Sequence, residues 1–222
     1  MAHGVNVIAI DGPVAAGKTV VGRELARTLG FAYLDTGIMY RAVTWLALNQ
    51  GISVEDETSL GELAHDNPIE LVCDSGNQVL VAGNTLGLEL REPAVDQNVS
   101  LVSKAGLVRK ALVAQQRNIA AQNKIVMIGR DIGTIVLPDA DLKIYLTASP
   151  ETRAKRRWQE MQDRDEMVEL MTVLSQTLKR DEIDSGRANS PLKPAEDAWQ
   201  LNTDNLSIQQ LVGLIIDRTK TL

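Results

Sequence analysis

Gly12-Pro13-Val14-Ala15-Ala16-Gly17-Lys18-Thr19, entered from Val5–Ile10 and left through Val20–Leu29, is the stretch that decides the fold. The octet fills every fixed position of the phosphate-binding pattern G-x-x-x-x-G-K-[ST]. Val5–Ile10 is short, apolar and rich in β-branched residues, and it reads as a buried strand. Downstream, Val21, Leu25 and Leu29 fall on one helical face. A glycine loop between such a strand and helix turns backbone N–H groups inward around phosphate oxygens, and the positive end of the helix dipole adds to that attraction. Lys18 reaches the β- and γ-phosphates and the Thr19 hydroxyl suits Mg²⁺. The bland alternative is a glycine-rich turn that binds nothing. The complete pattern and correct flanks instead predict a nucleoside triphosphate site over Gly12–Val20.

Composition narrows the rest. The chain has 222 residues, 44% of them hydrophobic, enough for one sizeable core with small insertions. Its one cysteine, Cys73, excludes an intrachain disulfide framework, fits a reducing cytoplasm and reads as a packed strand thiol. No basic segment followed by a long apolar run opens the chain, and no stretch of 18 apolar residues occurs. His3 and His65 are too few and scattered for a zinc site. A net charge of −6 argues against polynucleotide binding, and 3% aromatic content offers no stacking platform for single strands. The basic run Arg153, Lys155, Arg156, Arg157, Arg164, Lys179, Arg180 and Arg187 has the form that on a long helix is usually a solvated face, with i,i+4 spacings such as Glu151–Lys155 and Arg153–Arg157, and Lys155 and Arg164 are read so. Arg180 and Arg187 differ in flanking an expected loop.

Strands alternate with helices, the pattern of an α/β fold with a parallel sheet. Expected strands are Phe31–Leu34, Ile125–Ile128, Leu142–Leu146 and Trp199–Leu201. Expected helices are Ile38–Asn49, Glu55–His65, a stretch from Pro93, Leu107–Gln122, Pro150–Glu160, Val168–Leu178 and Ser207–Lys220, the last capped by Ser207. Ile69–Cys73 and Val79–Ala82 flank Asp74-Ser75-Gly76-Asn77, a hairpin signal that interrupts the rhythm as an inserted antiparallel subdomain.

Ligands of open parallel sheets gather beyond the carboxyl ends of the strands. Three polar groups fall there: the phosphate loop, Asp35-Thr36-Gly37-Ile38-Met39-Tyr40-Arg41, and Gly129-Arg130-Asp131. Thr36 and Arg41 suit a second phosphate, held bidentately by the guanidinium. Taken alone, Arg41 reads more readily as a surface helix residue, whereas a salt-bridged strand end is the weaker reading of Arg130-Asp131. The polar segment Asp181–Pro194, bounded by Arg180 and containing Arg187, is either an exposed connection or a lid that closes over phosphates and excludes water.

Four motifs in this order, Ile10-Asp11-Gly12-Pro13 with Gly17-Lys18-Thr19, Leu34-Asp35-Thr36-Gly37-x-x-Tyr40-Arg41, Gly129-Arg130-Asp131-x-Gly133-Thr134, and Arg180-Asp181-x-x-Asp184-Ser185-x-Arg187-x-x-Ser190-Pro191-Leu192, resemble bacterial cytidylate kinases over about residues 5–220. The resemblance implies a P-loop nucleoside monophosphate kinase: a core (about 4–60, 105–152 and 195–222), a monophosphate-binding insert (about 61–104) and a short lid (about 153–194). It implies transfer of a phosphoryl group from MgATP to CMP or dCMP in a cytoplasmic, usually monomeric enzyme without polynucleotide or membrane partners. Arg41, Arg130 and Arg187 would hold the acceptor phosphate with Thr36, beside Tyr40. Arg180 and Asp184 would contact the ribose, and Ser100, Arg109 and Asp131 the cytosine edge. Lys18, Arg130, Arg180 and Arg187 would stabilise the transferring group. Ser100 and Arg109 sit in helical sequence that otherwise reads as ordinary surface. Val14 and Ala15 depart from the small or hydroxyl residues often found in the family's loop. The alternatives are a kinase of UMP or AMP, a catalytically dead nucleotide-binding scaffold, and a GTP switch, whose D-x-x-G and N-K-x-D segments do not occur.

Overall fold

The computed structural model describes residues 4–72, 78–81, 83–186 and 190–222; His3, Cys73, the Asp74–Asn77 turn, Ala82 and Arg187 lie outside them. In chain order the elements are β1 (Val7–Asp11), α1 (Lys18–Leu29), β2 (Ala32–Asp35), α2 (Thr36–Asn49), α3 (Glu57–Asp66), β3 (Ile69–Val72), β4 (Gln78–Val81), β5 (Asn84–Thr85), α4 (Pro93–Val102), α5 (Gly106–Gln122), β6 (Ile125–Gly129), β7 (Leu142–Thr147), α6 (Pro150–Gln162), α7 (Leu170–Ser185), β8 (Trp199–Asn202) and α8 (Ile208–Thr219). They form two compact units, one of residues 4–31 and 126–222, the other of residues 32–125. No helix among the described residues is long and apolar enough to cross a membrane.

In the first unit the sheet runs β6-β1-β7-β8, with β7 parallel to both β1 and β8. Ile8, Ala9 and Ile10 on β1 and Val126 and Met127 on β6 are wholly buried, which explains their uninterrupted apolar sequence. β7 alternates instead, burying Leu142, Ile144 and Leu146 while Lys143 and Tyr145 stay half-exposed. Helix α1 packs on α8, and Val21 and Leu25 on the one and Leu211, Val212 and Ile215 on the other are buried. Ser207 caps α8 reciprocally: its hydroxyl accepts from the Gln210 N–H at 3.2 Å, and the Gln210 side chain accepts from the Ser207 N–H at 2.8 Å.

The second unit holds β2, helices α2–α5 and the expected antiparallel insertion, in which β4 pairs with β3 and also with a short further strand, β5. The Ala32 N–H donates to the Lys124 carbonyl at 2.8 Å, tying the start of β2 to the segment that follows α5. Helix α3 packs on α5. Gln115 fastens this contact to β3, accepting from the Ile69 N–H and donating to the Ala64 carbonyl.

One element departs from expectation. The polar loop expected from Asp181 is helical as far as Ser185, so Arg180, Asp181 and Asp184 lie on α7. Val173 and Thr177 are buried, and Asp181 and Asp184 continue their face at helical spacing. The two carboxylates each meet an arginine there, and those ion pairs replace the apolar side chains whose absence made the segment read as a loop.

The exit from β1 has no steric slack. Gly12 sits at φ +149°, and a Cβ placed on it would stand 2.1 Å from the Leu146 carbonyl oxygen. Gly12→Ala is expected to cost about 3 kcal/mol, from strain at a left-handed position plus displaced backbone. Urea denaturation of the purified variant measures it; a loss below about 1 kcal/mol would show that the loop relaxes freely.

Candidate functional site

The loop leaving β1 is built for anions. Gly17 caps α1 at φ 95° and Ala15 sits at φ 57°, so successive peptide groups turn about the helix N-terminus. Lys18 Nζ folds back over the loop and donates to the carbonyls of Gly12 at 2.7 Å and Pro13 at 2.6 Å. Thr19 is half-buried on the first helical turn, and Val20 is half-exposed beside it.

The loop is braced from behind. The Thr203 hydroxyl donates to the Ala16 carbonyl at 3.2 Å and accepts from Arg156 at 2.9 Å, and Arg156 also donates to the Thr203 carbonyl at 2.7 Å. The Arg153 side chain is 3% exposed, donates to the Ala148 carbonyl at 3.0 Å and grips Asp181 with both terminal nitrogens. Arg153 also approaches the Val14 carbonyl, and Arg156 the Ala15 carbonyl, each at 3.4 Å. These arginines correct the expectation of a solvated basic face. Arg153 turns inward because Asp181, 28 residues later, supplies its counter-charge.

At the end of β6, Arg130 Nε donates to Asp184 Oδ2 at 2.9 Å, and Asp184 is 1% exposed. Asp131 follows, 5% exposed, and its carbonyl accepts from the N–H groups of Ile135 and Val136 in a wide turn over Ile132–Val136. Asp11, the last residue of β1, accepts from the N–H groups of Ile132 and Gly133, each at 2.8 Å. Burial pushes its carboxyl up to about 6; the two N–H donors and Lys18 oppose that, and Asp131 adds to it. Burial also raises the neighbouring Tyr145 phenol, with Asp11 adding to the shift.

The first unit thus brings Lys18, Arg130, Asp131 and Asp184 to the strand ends beside the loop, with Arg180 half-buried one turn before Asp184 on α7. The second unit holds the other expected residues. Arg109 is 6% exposed, donates to the Tyr40 hydroxyl at 3.2 Å and lies 5.7 Å from the Tyr40 ring centre. The ordinary surface position read from local sequence is therefore wrong for Arg109. Arg41 pairs with Asp96 at 2.6 Å and donates to the Leu90 carbonyl at 2.9 Å. Thr36 is buried at the start of α2, which Asp35 caps by accepting from the Gly37 N–H at 3.0 Å. Ser100 is half-buried on α4, one turn after Asp96. Asp11, Arg153 and Arg156 were given no part in forming the site, although Asp11 stood in the motif that opens the loop and both arginines in the basic run.

Comparison with known proteins adds the following. The family model described as cytidylate kinase matches residues 8–221. A cytidylate kinase of Caldanaerobacter subterraneus subsp. tengcongensis is 46% identical, covering 95% of this chain and 92% of the relative. One of Pelotomaculum thermopropionicum is 45% identical, covering 95% of this chain and 94% of its own length. The crystal structure of an uncharacterised protein from Eubacterium ventriosum superposes with a TM-score of 0.54 at 14% identity, covering 97% of this chain and 99% of that one, and supports the fold alone.

Two outcomes follow from the geometry. Arg153→Met keeps much of the side-chain volume but strips Asp181 of its counter-charge. It should destabilise the chain by about 2 kcal/mol, below the range for fully buried pairs because Asp181 is partly exposed. A urea midpoint unchanged from the parent chain would contradict this. Asp11 ionises at about 6 when folded against an ordinary 3.8, so the folded chain holds its proton longer. The stability this contributes is complete below pH 3.8 and is lost as pH rises through about 6. The stability of the parent chain relative to Asp11→Asn should therefore fall between pH 4 and pH 7.5, read from urea denaturation at several pH values; a flat difference would refute it.

Proposed function

The chain belongs to the cytidylate kinase family and transfers a phosphoryl group to CMP or dCMP, and we propose that MgATP is the donor, held by Gly12–Val20. The observation that carries the donor assignment is the Lys18 ammonium lying over a loop of inward-turned peptides at the start of α1. Such a loop fits the oxygens of a triphosphate, and the ammonium exchanges loop carbonyls for phosphate oxygens when they arrive. The Thr19 hydroxyl fits Mg²⁺, which takes few protein oxygens and fills its remaining positions with water and phosphate. When bound, Mg²⁺ neutralises charge on the donor phosphates and orients them.

In this reading the chain's residues mainly position groups and neutralise charge. An oxygen of the acceptor monophosphate attacks the γ-phosphorus, the bond to the β–γ bridging oxygen breaks, and ADP leaves. A phosphate oxygen needs no general base, which accounts for a site of arginines and lysine without a catalytic histidine. Lys18, Arg130, Arg180 and Arg187 balance the charge on the transferring group. Arg41, Arg130 and Arg187, with Thr36 and Tyr40, hold the acceptor phosphate. Arg180 and Asp184 contact the ribose, and Ser100, Arg109 and Asp131 read the cytosine edge. Support comes from the burial of Arg109 and Asp131, which desolvates their hydrogen-bonding groups for base recognition. Residues of about 61–104 form the monophosphate-binding insert and those of about 153–194 the lid. The chain works as a monomer in the cytoplasm.

ADP formation with CMP, dCMP, UMP, AMP or GMP as sole acceptor tests the base-reading residues: strong turnover is expected with CMP and dCMP alone, and equal turnover of UMP or AMP would discard them. Lys18→Ala should lose roughly 3 kcal/mol of transition-state stabilisation, on the order of a hundredfold in kcat/KM. A drop of less than tenfold in steady-state kinetics would remove Lys18 from that role.

A further inference from the structure

Asp11 is 4% exposed, lies beneath the loop and is assigned no role in the transfer described above. We propose that Asp11 is a positioning residue for the acceptor: its carboxylate, binding the N–H groups of Ile132 and Gly133, holds the turn that carries Arg130 and Asp131 in register with the phosphate loop beginning at Gly12. The inference rests on the assignment of Arg130 and Asp131 to CMP.

The geometry is specific to an ionised carboxylate. Each oxygen takes one backbone donor, Ile132 N–H on Oδ1 and Gly133 N–H on Oδ2, both at 2.8 Å. A proton on either oxygen occupies one of its lone pairs and leaves it a poorer acceptor, so one of the two bonds is weakened. The residue after Asp11, at the exit from β1, is Gly12, whose backbone lies close against the Leu146 carbonyl. The residue before Ile132 is Asp131. One side chain therefore joins the first residue of the loop to the end of the proposed acceptor-binding pair. A carboxylate here is also costly, because it is buried and faces the like charge of Asp131, with only Lys18 as the opposing charge among the groups that shift it. A filler residue would have no reason to bear that cost; an obligatory double acceptor does.

The charged and titratable surroundings come from every packed element. Lys18 approaches from α1 and Asp131 from the turn after β6. Tyr145 stands opposite Asp11 in the β1–β7 register and itself feels Arg130, Arg153 and Asp181. The stem of Lys143 lies within reach of Gly133, and its ammonium is committed to Asp197 at 2.7 Å.

The test compares the parent enzyme, Asp11→Asn and Asp131→Asn, measuring kcat/KM for CMP and for MgATP from pH 5 to pH 8. Dividing parent by variant values cancels the titration of the nucleotide phosphates, which is common to both. Asp11→Asn should lower kcat/KM for CMP about 30-fold at pH 8, a loss that narrows to about fourfold at pH 5, where the parent Asp11 is itself mostly protonated. A loss independent of pH, or one confined to MgATP, would overturn the positioning role. Asp131→Asn tests the underlying assignment separately. If it leaves CMP kinetics unchanged while Asp11→Asn shows the narrowing loss, Asp131 leaves the CMP site and the role of Asp11 stands through Arg130. Should Asp11→Asn fold poorly, the backbone amide resonances of Ile132 and Gly133 in the parent chain decide. They should shift together with one midpoint near pH 6, and amides that do not titrate would end the proposal.

Discussion

The close approach of the Gly12 backbone to the Leu146 carbonyl is the constraint from which the rest of the site follows. A strand buried on both faces has to deliver its chain to the surface of the sheet with no room for a side chain at the exit. Once Gly12 takes that path, the following peptides turn around the start of α1, and Lys18 closes over the carbonyls of Gly12 and Pro13. The braces behind the loop, Thr203, Arg156 and Arg153, hold the carbonyls of Ala16, Ala15 and Val14. Orientation of the loop is thus fixed by what lies behind it.

Helix α7 shows how charge replaces hydrophobicity in this chain. Its second half has little apolar surface to bury, yet it lies against the core through Arg153–Asp181 and Arg130–Asp184. Each pair joins an arginine beside the site to a carboxylate on the same helix face. Partly buried pairs of this kind contribute little net stability, because desolvation offsets attraction, but a missing partner is strongly unfavourable. They set where the helix sits more than how firmly it is held.

How much of this was legible in the sequence depended on the range of the interaction. β1, the loop and α1 were readable because their signals are contiguous: an apolar run, glycines at fixed spacing, then a helical stripe. Ser207 was readable as a cap for the same reason, since its partner Gln210 is three residues away. The extension of α7 to Ser185 was not, because the residues stabilising it are Arg153 and Arg130, far along the chain. Arg109 looked like surface for a similar reason: Tyr40, which covers it, lies 69 residues earlier. Only the family resemblance proposed Arg109 for the site, whereas Asp131 was also marked by its place at a strand end.

Lys18 adds one consequence of its own. Its side chain is largely buried in the folded chain, and its ammonium bonds the carbonyls of Gly12 and Pro13. Dehydrating that cation is therefore part of the free energy of folding, and the incoming triphosphate exchanges partners with it instead of drying it. The loop's affinity and the chain's stability draw on the same desolvated charge, so neither evolves independently of the other.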